Sequence, residues 1–450
     1  MKKKNYTRRK FISVLSAGSA ALALPLTAAA GQQRNWSAAK LAISGGAPVR
    51  TQPWPQWPAM IVDDAMLANI TATTKSGAWS RINNPVNGTV ASFEKKYAAL
   101  TGAKYCVGTG SGTQALGVCV DALGIQPGDE VITSPYTDFG TISSILSARA
   151  LPILADLDYK SYQIDAAAIE KKISPNTKAI MPVHIMGSAC NMDAIMAVAN
   201  KKNIPVIEDA CQANFAKYKG QQLGTIGKLG CFSFQGSKQI AAGEGGAVIG
   251  NDDVLMDRVY TIQNHGTNKK GQNITIGQKM RMNEFEGSIL LSQLEHAVER
   301  FEKRNENARY LSSKIKNIPG LTPQLQYEGS NSSGYYLYSF TYDKKHFNNA
   351  DRALFLKALG AEGIPAGGYI KGMQHDLWTD HILQLDTYKK NYSKQQLQFF
   401  KDSLQLPNCD KVSDTVIVIS GGAILLGSKA DMDDIINALE KIYTNRNNLS

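Results

Sequence analysis

From about residue 104 the apolar positions fall into short blocks that alternate between two periods. Lys104–Val107, Glu130–Thr133, Pro152–Ala155, Ala179–Val183 and Pro205–Glu208 are brief, β-branched or apolar runs of strand length. Between them lie segments of helical spacing: Thr113–Leu123, Ser143–Ala148 and Met192–Asn200, the last with Asn191 placed to cap it. Strand–helix alternation of this kind predicts an α/β fold with a mainly parallel sheet and helices on both faces. Ligands in such sheets gather at the carboxyl ends of the strands. Met282–Arg304 reads as a long helix. Beyond about 310 the pattern changes to an alternating strand at Tyr335–Tyr342, a helix at Ala350–Leu359, a strand start at Gly363 to Pro365 and an amphipathic helix at Met432–Tyr443. The expected organisation is an extended lead over 31–60, a large domain over 61–305 and a smaller C-terminal α/β domain over 306–450. Three prolines within six residues of the lead (Pro53, Pro55, Pro58) exclude a helix there, so it is expected to drape over the surface or a neighbouring subunit.

The stretch Cys231–Gly250, CFSFQGSKQIAAGEGGAVIG, carries the chemistry. Cys231 to Phe234 and Ala247 to Ile249 read as strands, with a turn at Gly236 and a glycine-rich loop around Gly243, Gly245 and Gly246. Between them stands Lys238, five residues after Ser233. Apolar surroundings disfavour an ammonium, and a neutral amine is what Schiff-base chemistry requires. A surface turn lysine would fit the same pattern, since lysines are mostly exposed. Upstream, Gly108-Thr109-Gly110-Ser111-Gly112-Thr113 joins a strand to a helix, and free amides there form an anion site. It is neither G-x-G-x-x-G nor a P-loop. Glu208-Asp209 ends a strand in two acids, at the edge that faces the ligand crevice.

Charge and cysteines narrow the picture. The formal net charge of +11 includes six basic residues in the first ten positions, and without those six it is +5, too modest to argue for nucleic acid. Thr7-Arg8-Arg9-Lys10-Phe11-Ile12, an apolar run to Leu26 and Ala28-Ala29-Ala30 resemble a twin-arginine export signal occupying 1–30. The resemblance implies export of a folded protein, hence a periplasmic or otherwise exported location, and no stable membrane insertion after cleavage near Gly31. The six cysteines show no C-x-x-C and most read as buried thiols, and the histidines form no ligand cluster, so no metal site is expected.

S-F-x-x-x-K followed by G-E-G-G-A resembles the lysine motif of the DegT/DnrJ/StrS family of pyridoxal-phosphate sugar aminotransferases. The likeness runs from about residue 40 to 445. It implies a fold-type I PLP-dependent transferase, PLP as cofactor, and a homodimer with its site at the interface. Residue by residue, it implies that Lys238 carries the cofactor and Ser233 helps hold its phosphate. Gly112 and Thr113, in S-G-T-x-A-L, stand in the family's phosphate turn. In E-D-A-x-Q, Asp209 takes the pyridine nitrogen and Gln212 lies near the ring hydroxyl. His184, in P-V-H-x-x-G, and Arg281 and Tyr369 are substrate-side candidates. Lys279 occupies the position of the family's asparagine that reaches the partner's cofactor phosphate. In Ser134 to Thr141 the family's ring-stacking aromatic is replaced by Asp138; either Phe139 substitutes through a shifted loop or the stacking is lost. L-A-I-x-G-G-x-P-V-R and E-G-I-P-A-G-G-Y resemble most the branch acting on inosose-type cyclitols. The implied activity is transfer of an amino group from an amino acid, glutamate or glutamine, to a keto sugar or keto cyclitol. A non-catalytic binding or sensor protein on the same scaffold, another PLP-dependent reaction, and a nicotinamide oxidoreductase remain open on sequence alone.

Overall fold

The computed structural model describes residues 36–56, 59–330, 332–419 and 423–449, so the twin-arginine-type segment lies outside the described residues. Helices α1 (Asp64–Ser76) and α2 (Thr89–Thr101) lead into the main sheet. The sheet's first half is β1 (Tyr105–Thr109), α3 (Gly112–Ala122), β2 (Glu130–Thr133), α4 (Phe139–Ser147), β3 (Leu151–Leu154), α5 (Ala166–Lys172), β4 (Thr177–Met181), α6 (Met192–Lys202) and β5 (Ile207–Asp209). A small hairpin, β6 (Lys217–Tyr218) and β7 (Gln221–Gln222), precedes β8 (Leu229–Ser233) and β9 (Gly246–Gly250). The strands are short and buried on both faces, which is why they read as continuous apolar runs rather than alternating ones.

Strands β3-β2-β4 pair in parallel, and β5-β8-β9-β1 form a second ladder. Bridges Ile180–Val206 and Val183–Asp209, both parallel, join β4 to β5 and make one continuous sheet. Only β9 runs against its neighbours, β8 and β1. The carboxyl ends of β1, β2, β4, β5 and β8 therefore share one edge, and β9 starts from it.

Helix α7 (Asp253–Gln263) follows, and then α8 (Glu284–Ile315). The long helix starts two residues later than its sequence pattern indicates, because Asn283 and Glu286 form a reciprocal capping box. It also continues eleven residues beyond Arg304. Leu290, Leu294, Ala297 and Phe301 pack in the sheet's core, whereas Ala308, Leu311 and Ile315 pack in a second core. That second core lies on an antiparallel sheet ordered β10 (Leu321–Pro323), β11 (Tyr338–Tyr342), β13 (Val416–Ile419), β12 (Ala366–Gly367). Helices α9 (Arg352–Ala361) and α14 (Lys429–Thr444) contribute to it. Between β12 and β13 come four short helices, α10 (Trp378–Gln384), α11 (Asp386–Asn391), α12 (Lys394–Ser403) and α13 (Pro407–Thr415), whose Tyr388, Tyr392 and Phe400 pack on the main sheet's core.

The lead is pinned rather than draped. Leu41 is buried in the second core. Glu362, fully buried, accepts from the amides of Ala42 (2.9 Å) and Val49 (3.1 Å) and from Lys441 Nζ (2.8 Å). Arg50 bonds Asp431 at 2.6 Å and Asp434 at 2.9 Å, with its guanidinium over Trp54. No helix among the described residues is long and apolar enough to cross a membrane.

Candidate active site

The edge where the parallel strands end gathers most of the expected residues. At the start of α3 Ser111 is the N-cap, its hydroxyl accepting from Gln114 N. The first amides of the helix, those of Gly112 and Thr113, have no acceptor inside it. A methyl group added at Gly112 would lie 2.7 Å from Ser233 Cβ and 3.1 Å from both Ser233 Oγ and Cys211 Sγ. Gly112 is thus bare because β8's last residue and the turn after β5 press against it. Thr113 closes the other side, since a methyl at Gly140 would lie 2.6 Å from Thr113 Oγ1 and 3.0 Å from Asp138 Oδ1. This is a small, hydroxyl-lined cradle at a helix N-terminus, suited to an anion.

Beside the cradle, β5 ends in two acids whose side chains leave the strand in opposite directions. Asp209 is 4% exposed; its Oδ2 accepts from Thr141 Oγ1 at 2.7 Å and its Oδ1 from Cys211 N at 3.2 Å. Thr137 Oγ1 lies 2.7 Å from Thr141 Oγ1 and extends the chain. Glu208 is fully buried and accepts from the amides of Gly224 (2.8 Å), Ile226 (2.7 Å) and Gly227 (2.6 Å). Burial, with the Asp209 charge next in effect, pushes the Cys211 thiol well above its ordinary range. All six cysteines are free.

Lys238 follows β8 in the loop that leads to β9. The glycine needed for a left-handed turn is not Gly236, where a methyl would meet nothing closer than 3.7 Å, but Gly243 (φ 90°) and Gly245 (φ 135°). Lys238 is half-buried, with Nζ 4.3 Å from the centre of the Tyr336 ring. Lys238 lies in the loop that leaves β8, the strand paired with β5 at Asp209 and Cys231, so the amine and the carboxylate belong to the same sheet edge. Gln212 accepts from Met186 N at 2.8 Å and donates to Tyr369 Oη at 2.9 Å. The Tyr369 ring meets that of buried Tyr136 edge-on, 5.7 Å between centres.

Comparison with known proteins agrees with this geometry. The model of the DegT/DnrJ/EryC1/StrS aminotransferase family matches residues 61–420. The chain belongs to that family. It is 32% identical over 427 residues to the L-glutamine:2-deoxy-scyllo-inosose aminotransferase of Micromonospora echinospora, covering 91% of this chain and 99% of that one. It is 32% identical to the spore coat polysaccharide biosynthesis protein SpsC of Bacillus subtilis, covering 84% and 94%. Among solved structures it resembles 3-amino-5-hydroxybenzoic acid synthase, with a TM-score of 0.76 and 26% identity, over 88% of this chain and 99% of that one.

The protein is therefore a PLP-dependent aminotransferase with a fold-type I α/β architecture. The residues fit the cofactor: the glycine-bare cradle at Gly112, Thr113 and Ser233 suits a phosphate, and the buried, hydrogen-bonded Asp209 suits a pyridinium. Four family-derived assignments look different once their surroundings are seen. His184 is fully buried, its Nε2 3.0 Å from Glu208 and its Nδ1 accepting from Cys190 N at 3.1 Å. Both ring nitrogens are thus engaged by the protein and hold the fold rather than a substrate. Asp138 is the N-cap of α4, accepting from Gly140 N at 2.8 Å, and Phe139 is that helix's first residue, 43% exposed. The turn thus presents a carboxylate cap where the family has an aromatic. Arg281 is half-buried and donates to Asn264 Oδ1 at 2.9 Å. Lys279 is exposed and shares a pocket of about 290 Å³ with Arg281, Trp79 and Ser80.

The sequence reading missed Thr141, Glu208 and Tyr336. Period-two alternation along β5 was the available signal for Glu208, since one of two adjacent acids must face away from the ligand edge. Removing the Thr141 hydroxyl isolates its contribution. Thr141→Val is expected to weaken PLP binding about tenfold, the effect of one hydrogen bond to a charged group. Fluorescence titration of cofactor-free protein measures it, and an unchanged affinity would show that Asp209 needs no partner at Oδ2.

Proposed function

We propose that this aminotransferase takes an amino group from glutamine or glutamate and delivers it to a keto cyclitol or keto sugar. The observation that carries the reading is the position of Asp209, the Gly112–Ser233 cradle and the Lys238 loop at the ends of the paired strands β5 and β8. The inosose aminotransferases among its relatives support the substrate class and the glutamine donor. PLP supplies an electron sink for the carbon that loses a proton. The chain's own residues do the rest. Lys238 would hold the cofactor, and its amine would take up and return the proton. Asp209, fixed by Thr141 and the Cys211 amide, would present its carboxylate to the cofactor's pyridine nitrogen. Gln212, held between Met186 N and Tyr369 Oη, fixes the wall near the ring hydroxyl. Purified protein is expected to show a visible absorption band that borohydride abolishes and Lys238→Ala lacks, and to aminate an inosose with glutamine. A colourless chain that does not take up PLP sinks the reading.

The same reading includes a homodimer. Trp79, Ile82 and Val86 are 51%, 57% and 77% exposed, and Ile274 and Ile276 are 63% and 94% exposed. They lie on the two segments that run into the Lys279 pocket. We read these exposed apolar side chains as part of the dimer surface. Sedimentation velocity is expected to give a dimer for the parent and a monomer-shifted boundary for Ile276→Asp; a parent that sediments as a monomer at micromolar concentration contradicts it.

Export through the N-terminal segment is also part of the proposal, supported by Arg8-Arg9 ahead of an apolar run and A-x-A. Fractionation of cells is expected to find the parent outside the cytoplasm and an Arg8→Lys, Arg9→Lys double variant retained within it. Equal distribution of the two would rule out the twin-arginine route.

A further inference from the structure

Three backbone segments cross beneath the Lys238 loop, and two of them are in the left-handed region. Met186 and Gly187 have φ of 62° and 92°, and Tyr335 has 41°. A methyl at Gly187 would lie 2.6 Å from Gln212 O and 2.7 Å from Tyr335 N, so the crossing tolerates no side chain there. Gly334 N donates to Gly187 O at 2.8 Å and Tyr336 N to Met186 O at 3.0 Å. Gln239 Nε2 reaches from the lysine loop to Gln212 O (2.5 Å) and Gly334 O (3.2 Å). Residues 333–336, which enter from beyond α8, are thereby bonded to both sides of the site.

The product of this crossing is the placement of Tyr336. Its ring face meets Lys238 Nζ at 4.3 Å, and its hydroxyl lies 3.0 Å from Ser237 Oγ, one residue before the lysine. Ser237 in turn is held by Gln235 Oε1, which it meets at 2.6 Å through its hydroxyl and 2.8 Å through its amide.

We infer that Tyr336 is a positioning residue for Lys238: its ring face receives the lysine in the charged form, and the Ser237 bond fixes the ring for that contact. A ring quadrupole attracts an ammonium and is indifferent to an amine. The contact therefore favours the lysine when it carries the proton it must return. The catalytic meaning rests on the transamination reading above; the contact itself does not. Other charged or titratable groups also face this region: Asp209 and Cys211 from the end of β5, Asp138 from the β2–α4 turn, and Tyr369 from the segment after β12. They remain in every variant below, so a difference between variants reports the ring.

The test is the rate at which Lys238 is acetylated by limiting acetic anhydride in full-length, cofactor-free protein, read by peptide mass spectrometry across pH. Tyr336→Leu removes the ring. At neutral pH it is expected to label Lys238 about fivefold faster than the parent, the weight of one cation–π contact. The difference should close at alkaline pH, where the amine is neutral in both. Tyr336→Phe and Ser237→Ala keep the ring and lose the tether, and both should show the same smaller rise. Equal rates in parent and Tyr336→Leu overturn the inference. So does a rise that persists at alkaline pH, which would mean that the leucine only opened access. Lys441, 2% exposed, stays unlabelled in folded protein and reports unfolding. If Tyr336→Leu unfolds, an unchanged rate in both tethering variants overturns the inference on their own account. None of these outcomes depends on PLP or turnover, so failure here and failure of the absorption test are separable.

Discussion

The structure depends on what the last two residues of β5 do with their charges. Glu208 turns inward and is met by three amides and an imidazole; Asp209 turns to the ligand edge and is met by a hydroxyl and an amide. A buried carboxylate is costly unless donors surround it. Glu208 meets that condition by gathering the loop at 224–227 and the β4 end around itself, and so fixes the strand that carries Asp209. The acid at the ligand edge is held in place by the adjacent structural one, and His184 belongs to the structural side of that pair.

Much of this was legible because it is local. Strand–helix alternation, the turn into α3, the acidic end of β5 and the lysine after β8 each occupy a few consecutive residues, and each is punctuated by glycine or by a change of period. What was not legible depends on distant segments. Tyr336 lies 98 residues beyond Lys238, and nothing in S-S-G-Y-Y marks it as the residue that meets the amine. The end of α8 was placed too early because its apolar face passes from one core to another at about Arg304, where the spacing continues but the partners change. The four helices over 378–415 are six to ten residues each, too short for a period to declare itself. The histidine in P-V-H was singled out by its type, yet residue type does not say which side of a strand end it occupies.

Asp138 shows how local and functional demands can diverge. Aspartate is among the best N-caps, and an aromatic at that position caps poorly. The α4 start is correspondingly well formed, with Gly140 N bonded and Thr141 one turn on aimed at Asp209. Asp138 thus secures the helix that delivers Thr141.

The long helix explains how the C-terminal half comes to matter for chemistry at the sheet edge. By spanning both cores, α8 sets the second sheet at a fixed offset from the first, and Asn305, buried on it, bonds Ser333 through both N and O. Ser333 then accepts no freedom of its own: its hydroxyl donates to Gly187 O at 2.8 Å and lies 3.1 Å from Ser188 Oγ. The residues that follow, Gly334 to Tyr336, are therefore positioned from two directions, by the helix and by the β4 end. Backbone in the left-handed region persists only where its surroundings over-determine it. Here they do so at Met186, Gly187 and Tyr335 together, and the aromatic face presented to Lys238 is the side chain that this strain delivers.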